Sequence, residues 1–204
     1  MALGTYTGLK TSIADWLSRD DLTAVIPDFI ELAEARIYRK LRIPPLESVT
    51  EYDTNSVTGD FDLPNDLLEI KAVVVQSSPT RKLEQRSWEE VRDRQDGTTG
   101  DPFYFAREGS TLIFYPELTA TAVELNVHYW RALAPLTTSN ETNWFTENAP
   151  SVVLYGALME AALYLRDEEG VRDWGDKFKD AVDELQFMAD TAEYSQGNMR
   201  VQHA

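Results

Sequence analysis

There is no cysteine among the 204 residues, which excludes disulfides, thiolate zinc sites, iron–sulfur clusters and a cysteine nucleophile, and implies no redox compartment. Histidine is almost absent too. His128 and His203 are the two present, too far apart in sequence and context to suggest a metal pair. The longest apolar stretches, residues 72–75 and 151–158, fall far short of a bilayer span, which takes about 20 residues. Residues 1–10 show no basic stretch leading into an apolar core, so no signal peptide is expected. Positive charge is also scarce: nineteen basic residues face thirty-five acidic ones, for a net charge of −16. A surface this negative repels phosphate backbones and anionic headgroups alike.

What is present is an ordinary globular composition, 43% apolar and 26% charged, long enough to bury a core without covalent staples. The length fits one large domain or one domain carrying an inserted module. The acidic excess is uneven. Residues 141–193 hold thirteen acids and four bases, a local net charge of −9.

Apolar periodicity divides the chain. Ile13, Trp16 and Leu17 mark a short amphipathic helix over 7–17. Ile26, Ile30, Ala33, Ile37 and Leu41 recur at helical spacing, which predicts a longer helix over 27–42 with Pro27 in its first turn. Asp28, Glu31 and Glu34 sit in its first half, with Arg36, Arg39, Lys40 and Arg42 near its end. Each group opposes the local sign of the helix dipole. Pro44-Pro45 stops it. From 46 to about 135 the period changes from 3.6 to 2, with candidate strands over 49–53, 60–63, 68–75, 103–107, 111–115 and 122–131 and a short helix over 88–94. Glu108-Gly109-Ser110 supplies a hairpin turn. In the last strand Val123, Leu125, Val127 and Tyr129 share one face, opposite Glu124, Asn126, His128 and Trp130.

After Leu136 the helical period returns. Leu154, Leu158, Ala161 and Leu165 define one helix, closed by residues 167–170. Trp174, Phe178, Ala181, Leu185, Met188 and Ala192 form the narrow seam of another, with Asp173, Asp176, Asp180, Asp183 and Asp190 about half a turn away. The expected fold is α+β: an antiparallel helical bundle from the N- and C-terminal segments, with an inserted antiparallel β-rich module. Its parts are residues 1–45, N-terminal helices; 46–136, the module; 137–194, a C-terminal helical hairpin; and 195–204, an extended tail.

Signs of enzyme chemistry are weak. No HExxH, P-loop, GxGxxG or GxSxG pattern occurs. His128 reads as a partly solvated sheet residue rather than a base. The acid pairs Asp20/Asp21, Asp60/Asp62, Glu89/Glu90 and Glu168/Glu169 fall in turns or on polar helix faces, where both members stay ionised; a glycosidase splits its pair across a cleft. Asp60-Phe61-Asp62 lacks the regular spacing of a calcium loop and reads as an Asp-capped turn. The expectation is a non-enzyme without cofactor or metal, with a small acidic hydrolase or a helical interaction module as alternatives. Trp16, Trp88 and Trp174 fit core positions. Trp130 and the loop Asn143-Trp144-Phe145 are candidates for contact with another chain or layer.

Read in order, several pieces carry a resemblance. These are Leu9-Lys10-Thr11-Ser12-Ile13-Ala14-Asp15-Trp16-Leu17 with Asp20-Asp21-Leu22, the helix opening Ile26-Pro27-Asp28-Phe29-Ile30-Glu31, Leu63-Pro64 with Asp66, and Gly100-Asp101-Pro102 with Tyr104. They continue with Phe114-Tyr115-Pro116, Tyr129-Trp130, Thr142-Asn143-Trp144-Phe145, and Tyr155-Gly156-Ala157-Leu158 leading to Tyr164-Leu165 and Trp174. Together the sequence resembles the head-to-tail adaptor proteins of tailed bacteriophages over almost the whole chain up to about Tyr194.

The resemblance implies a structural, non-enzymatic virion protein at the portal–tail junction, assembled in the host cytoplasm. It implies a ring, commonly of twelve copies, beneath the portal protein, extending the DNA channel and receiving tail or nozzle components. DNA would pass without sequence-specific binding, and an acidic wall suits that because it repels the moving duplex. The portal contact implied is the C-terminal end, with Tyr194, Gln196, Met199, Arg200 and Val201. Trp130, Trp144 and Phe145 are the candidate contacts between subunits. Asp173, Asp176, Asp180 and Asp183 are the candidate channel lining, or a face turned to outside solvent.

Overall fold

The computed structural model describes residues 3–19, 21–53, 61–77, 79–118 and 124–196, the side chains of 53 and 193–196 excepted. The fold is mixed α+β and clusters into two compact units, Met1–Pro45 with Leu133–Ala204, and Leu46–Ala132.

In the helical unit, α1 (Tyr6–Leu17) starts where the Thr5 hydroxyl accepts from the Gly8 N–H at 3.1 Å and stops at Ser18, which takes a left-handed conformation with φ 51°. α2 (Ile26–Lys40) carries proline in its first turn and Arg39 and Lys40 in its last, as its charge pattern predicts. It buries Ile26, Phe29, Ile30, Ala33 and Ile37. α4 (Trp144–Asn148) is a short helix where the sequence predicts a loop. A reciprocal cap starts it: the Asn143 side chain accepts from the N–H groups of Phe145 and Thr146 at 3.0 and 3.1 Å, and the Thr146 hydroxyl accepts from the Asn143 N–H at 2.9 Å.

α5 (Pro150–Leu165) is apolar nearly all round, and α1, α2, α4 and α6 (Glu168–Gln196) all contact it. The break between α5 and α6 comes earlier than residues 167–170. Arg166 adopts φ 57° and Asp167 then caps α6, accepting from the Gly170 N–H at 3.1 Å, so Gly170 lies inside the new helix. α6 runs on to Gln196, two residues into the segment the sequence assigns to an extended tail. Its seam is buried at Phe178 but opens toward its end, where Met188 is 60% exposed.

The second unit holds two four-stranded sheets. One has the order β1 (Glu47–Asp53), β8 (Glu124–Arg131), β3 (Leu67–Val75), β4 (Arg81–Lys82); the other, β2 (Phe61–Asp62), β7 (Thr111–Tyr115), β6 (Tyr104–Glu108), β5 (Glu84–Gln85). All pairings between strands are antiparallel except β5 with β6, joined through α3 (Trp88–Arg94), so the module is not purely antiparallel. Gly109, at φ 62°, provides the two-residue turn between β6 and β7. Val73, Val75, Leu125, Val127 and Tyr129 of one sheet share a core with Phe61, Phe105, Leu112 and Phe114 of the other. α3 packs Val91 on Ala106 and Ile113 of the second sheet.

All three tryptophans expected at core positions depart from that expectation, with Trp174 half-buried on α6. Trp16 is 41% exposed and Trp88 49% exposed; each lies at the margin of its helix's buried stripe rather than in the core. Among the described residues no helix is long and apolar enough to cross a membrane.

α5 meets α2 and α6 closely at Gly156. A Cβ there would stand 2.9 Å from the Ala33 Cβ and 3.2 Å from the Phe178 ring. Gly156→Val is expected to lower unfolding free energy by about 2–3 kcal/mol through overpacking, read by urea denaturation.

Candidate assembly surfaces

The helical unit must first receive the chain that returns after β8, and it does so through buried polar groups. Residues 133–143 have little regular structure, so their backbone groups need partners elsewhere. The Tyr38 hydroxyl donates to the Leu133 carbonyl at 3.4 Å. The Glu34 carboxylate accepts from the Leu136 N–H at 3.2 Å and from the Asn143 side-chain amide at 3.1 Å. At the far end, Glu141 accepts from the Thr7 N–H at 2.9 Å and from the Thr7 hydroxyl at 2.7 Å, while its carbonyl accepts from the Tyr6 N–H. Those bonds from Thr7 hold the Glu141 carboxyl below its ordinary pKa.

Glu34 is 4% exposed. Burial pushes its pKa from 4.5 up to about 7, against the opposing pull of the Leu136 and Asn143 donors and with a smaller upward push from Glu31. Reading α2 by its charges assigned Glu34 to the dipole-compensating half. The missed signal is its register, four after Ile30 and three before Ile37, on the buried stripe. Glu160 is the other buried carboxylate among the described residues, and Arg36 pairs with it between α2 and α5.

Trp130 and Trp144 are both half-buried. Trp130 lies on the outer face of its sheet with the Lys71 ammonium 5.0 Å from its ring centre, and that ammonium also meets Glu47 at 2.6 Å. Trp144 packs edge-on to Phe145. Phe145 is a correction: fully buried, with its ring centre 6.1 Å from that of Tyr38, it holds α4 in the core and offers nothing to a neighbour. The cap at Asn143 turns it inward.

Asp173, Asp176, Asp180 and Asp183 all lie exposed on one face of α6. Tyr194 and Gln196 belong to α6 with their side chains outside the description, and Met199, Arg200 and Val201 lie outside the described residues. A surface the sequence missed is the aromatic cluster of Trp16, Tyr155 and Trp174, with ring centres 5.5–6.3 Å apart and the Lys177 ammonium 4.2 Å above Trp174.

The candidate acid pairs do not come together as a reactive centre: Asp62, Glu89, Glu168 and Glu169 are exposed, and Asp21 pairs with Arg19 at 2.6 Å. Asp20 and Asp60 lie outside the described residues. His128 is half-buried on β8. Among the described residues no cluster of three histidine, aspartate or glutamate side chains is arranged to hold a metal ion.

The Glu34 joint makes stability depend on pH. The folded chain binds this proton more tightly than the unfolded chain, so the contribution is complete below about pH 4.5 and is lost as pH rises through about 7. Between pH 4 and 8 the difference in unfolding free energy between Glu34→Gln and the parent is expected to move by about 3 kcal/mol in favour of the variant. A difference that stays constant across that range would contradict the assignment.

The sequence model of one family, described as SU10 adaptor protein, matches residues 4–202. No curated protein matches the chain. With the family profile running through both units, from the start of α1 past the end of α6, the chain belongs to the SU10 adaptor protein family, a family of phage head-to-tail adaptors.

Proposed function

We propose that this protein is a head-to-tail adaptor that assembles as a ring, of twelve copies, beneath the phage portal, extends the DNA channel and gives tail components a docking platform. The observation that carries this is the family match over residues 4–202. The family is a structural one, which fits the exposed positions of Asp62, Glu89, Glu168 and Glu169 among the described residues. In this reading the helices form an antiparallel bundle from which the inserted module provides a second, chemically distinct surface. A head-to-tail ring contact needs two such patches on each subunit. Trp130 and Trp144, each partly open, serve as subunit contacts.

The aspartate face of α6 suits a channel wall. Four exposed carboxylates on one helix face repel a passing duplex and give it no phosphate-binding foothold. The portal contact is the C-terminal segment with Tyr194, Gln196, Met199, Arg200 and Val201, which docks into a partner groove.

Deleting residues 196–204 is expected to leave the melting temperature of the free protein within a few degrees of the parent and to abolish portal capture in a pull-down. Unchanged capture would remove this segment from the interface.

A further inference from the structure

The segment that follows β8 lies on the helical unit as a strap. Residues 133–140 fold around Asn140, whose side-chain amide donates to the Ala134 and Pro135 carbonyls at 3.1 and 2.9 Å. The backbone of Asn140 closes a turn with Thr137, each N–H donating to the other's carbonyl. This compact piece has few moorings. Leu136 is its one buried side chain, whereas Ala134, Pro135, Thr138 and Ser139 are open to solvent. The Leu136 N–H donates to the Glu34 carboxylate at 3.2 Å, and the Leu133 carbonyl accepts from Tyr38 at a long 3.4 Å. A segment that buries so little can open while the fold around it stays intact.

We propose that Glu34 is a proton-operated latch: the strap 133–140 stays closed on α2 while the carboxyl holds its proton and lifts when the carboxyl ionises. The groups around Glu34 set that direction. They are Tyr6 of α1 and Glu31 and Tyr38 of α2, with Asp28 and Glu141 sharing the field at Tyr6. None of them is a cation. Asn143, the cap of α4, offers Glu34 a neutral amide, and Arg36, between α2 and α5, is already paired with Glu160. Under the closed strap an ionised Glu34 therefore has two neutral donors and no counter-charge, a costly state that access of water relieves. The carboxyl's pKa of about 7, raised chiefly by burial, puts the change near neutral pH.

The strap is the chain's return path from the inserted module, so lifting it lengthens the tether from β8 to α4. The inference goes beyond the pH dependence of overall stability, because one segment opens while the helices remain packed. It is independent of the ring and portal reading.

Hydrogen exchange of single amides, followed by NMR on the full-length chain, reads the latch directly, since the Glu34 carboxylate is the acceptor of the Leu136 N–H. After division by the intrinsic exchange rate, Leu136 is expected to be at least about tenfold less protected than Leu158 in the buried part of α5, the mark of opening short of unfolding. From pH 6 to pH 8 its protection is expected to fall by about tenfold, the change that a carboxyl raised from 4.5 to about 7 imposes on any opening that exposes it. Glu34→Gln is expected to make the protection of Leu136 level across that range. Leu136 as protected as Leu158 at both pH values would overturn the proposal, because the strap then opens only with the whole fold. Protection of Leu136 that does not fall with pH overturns it too, as does a fall that persists in Glu34→Gln. The first two results are read in the parent protein, so they decide the matter even where the variant folds poorly.

Discussion

The helical unit depends on one constraint: α5 has almost no polar side to give to water. Ten of its residues, from Val152 to Ala162, are buried, Glu160 among them, and a helix apolar on every side is stable only when other helices cover it. The coverings come from both ends of the chain. α1 and α2 precede the β module, α4 and α6 follow it, and Gly156 lets two of them approach closely enough that an added methyl group would collide. The module is thereby an insertion in the sequence of a unit whose halves need each other.

Much of this is legible in the residues because it rests on local periodicity. The α1, α2 and α3 patterns, the alternation of β8 and the Gly109 turn follow directly from apolar spacing and backbone preference. What escapes is decided at long range or by polar satisfaction. Asn143 reads as a loop residue until its side chain is seen to cap α4 on one side and reach Glu34 on the other. Gly170 reads as a helix stop until Asp167 is found capping the next helix across it. The parallel β5–β6 pair depends on a crossover that two-residue strands do not announce.

The surfaces show the same division. The exposed aspartate face of α6 follows from helical spacing alone, whereas an aromatic residue gives no sign of whether it faces a core or a surface. Phe145 goes inward and Trp16 outward for reasons that lie in α4's cap and in the edge of α1's stripe. The buried carboxylate of Glu34 is the most consequential omission. It satisfies two donors on the returning segment, at the cost of holding a near-neutral acid in the unit's interior.

The adaptor family to which the chain belongs is a structural, non-enzymatic kind of protein, which places the work of this protein in its shape and contacts. The mass of the purified chain mixed with its portal, measured by light scattering after size-exclusion chromatography, tests that most directly. The account predicts one complex in which the portal ring carries a full ring of this chain, twelve copies. A chain that elutes alone as a monomer at every ratio to portal would contradict it.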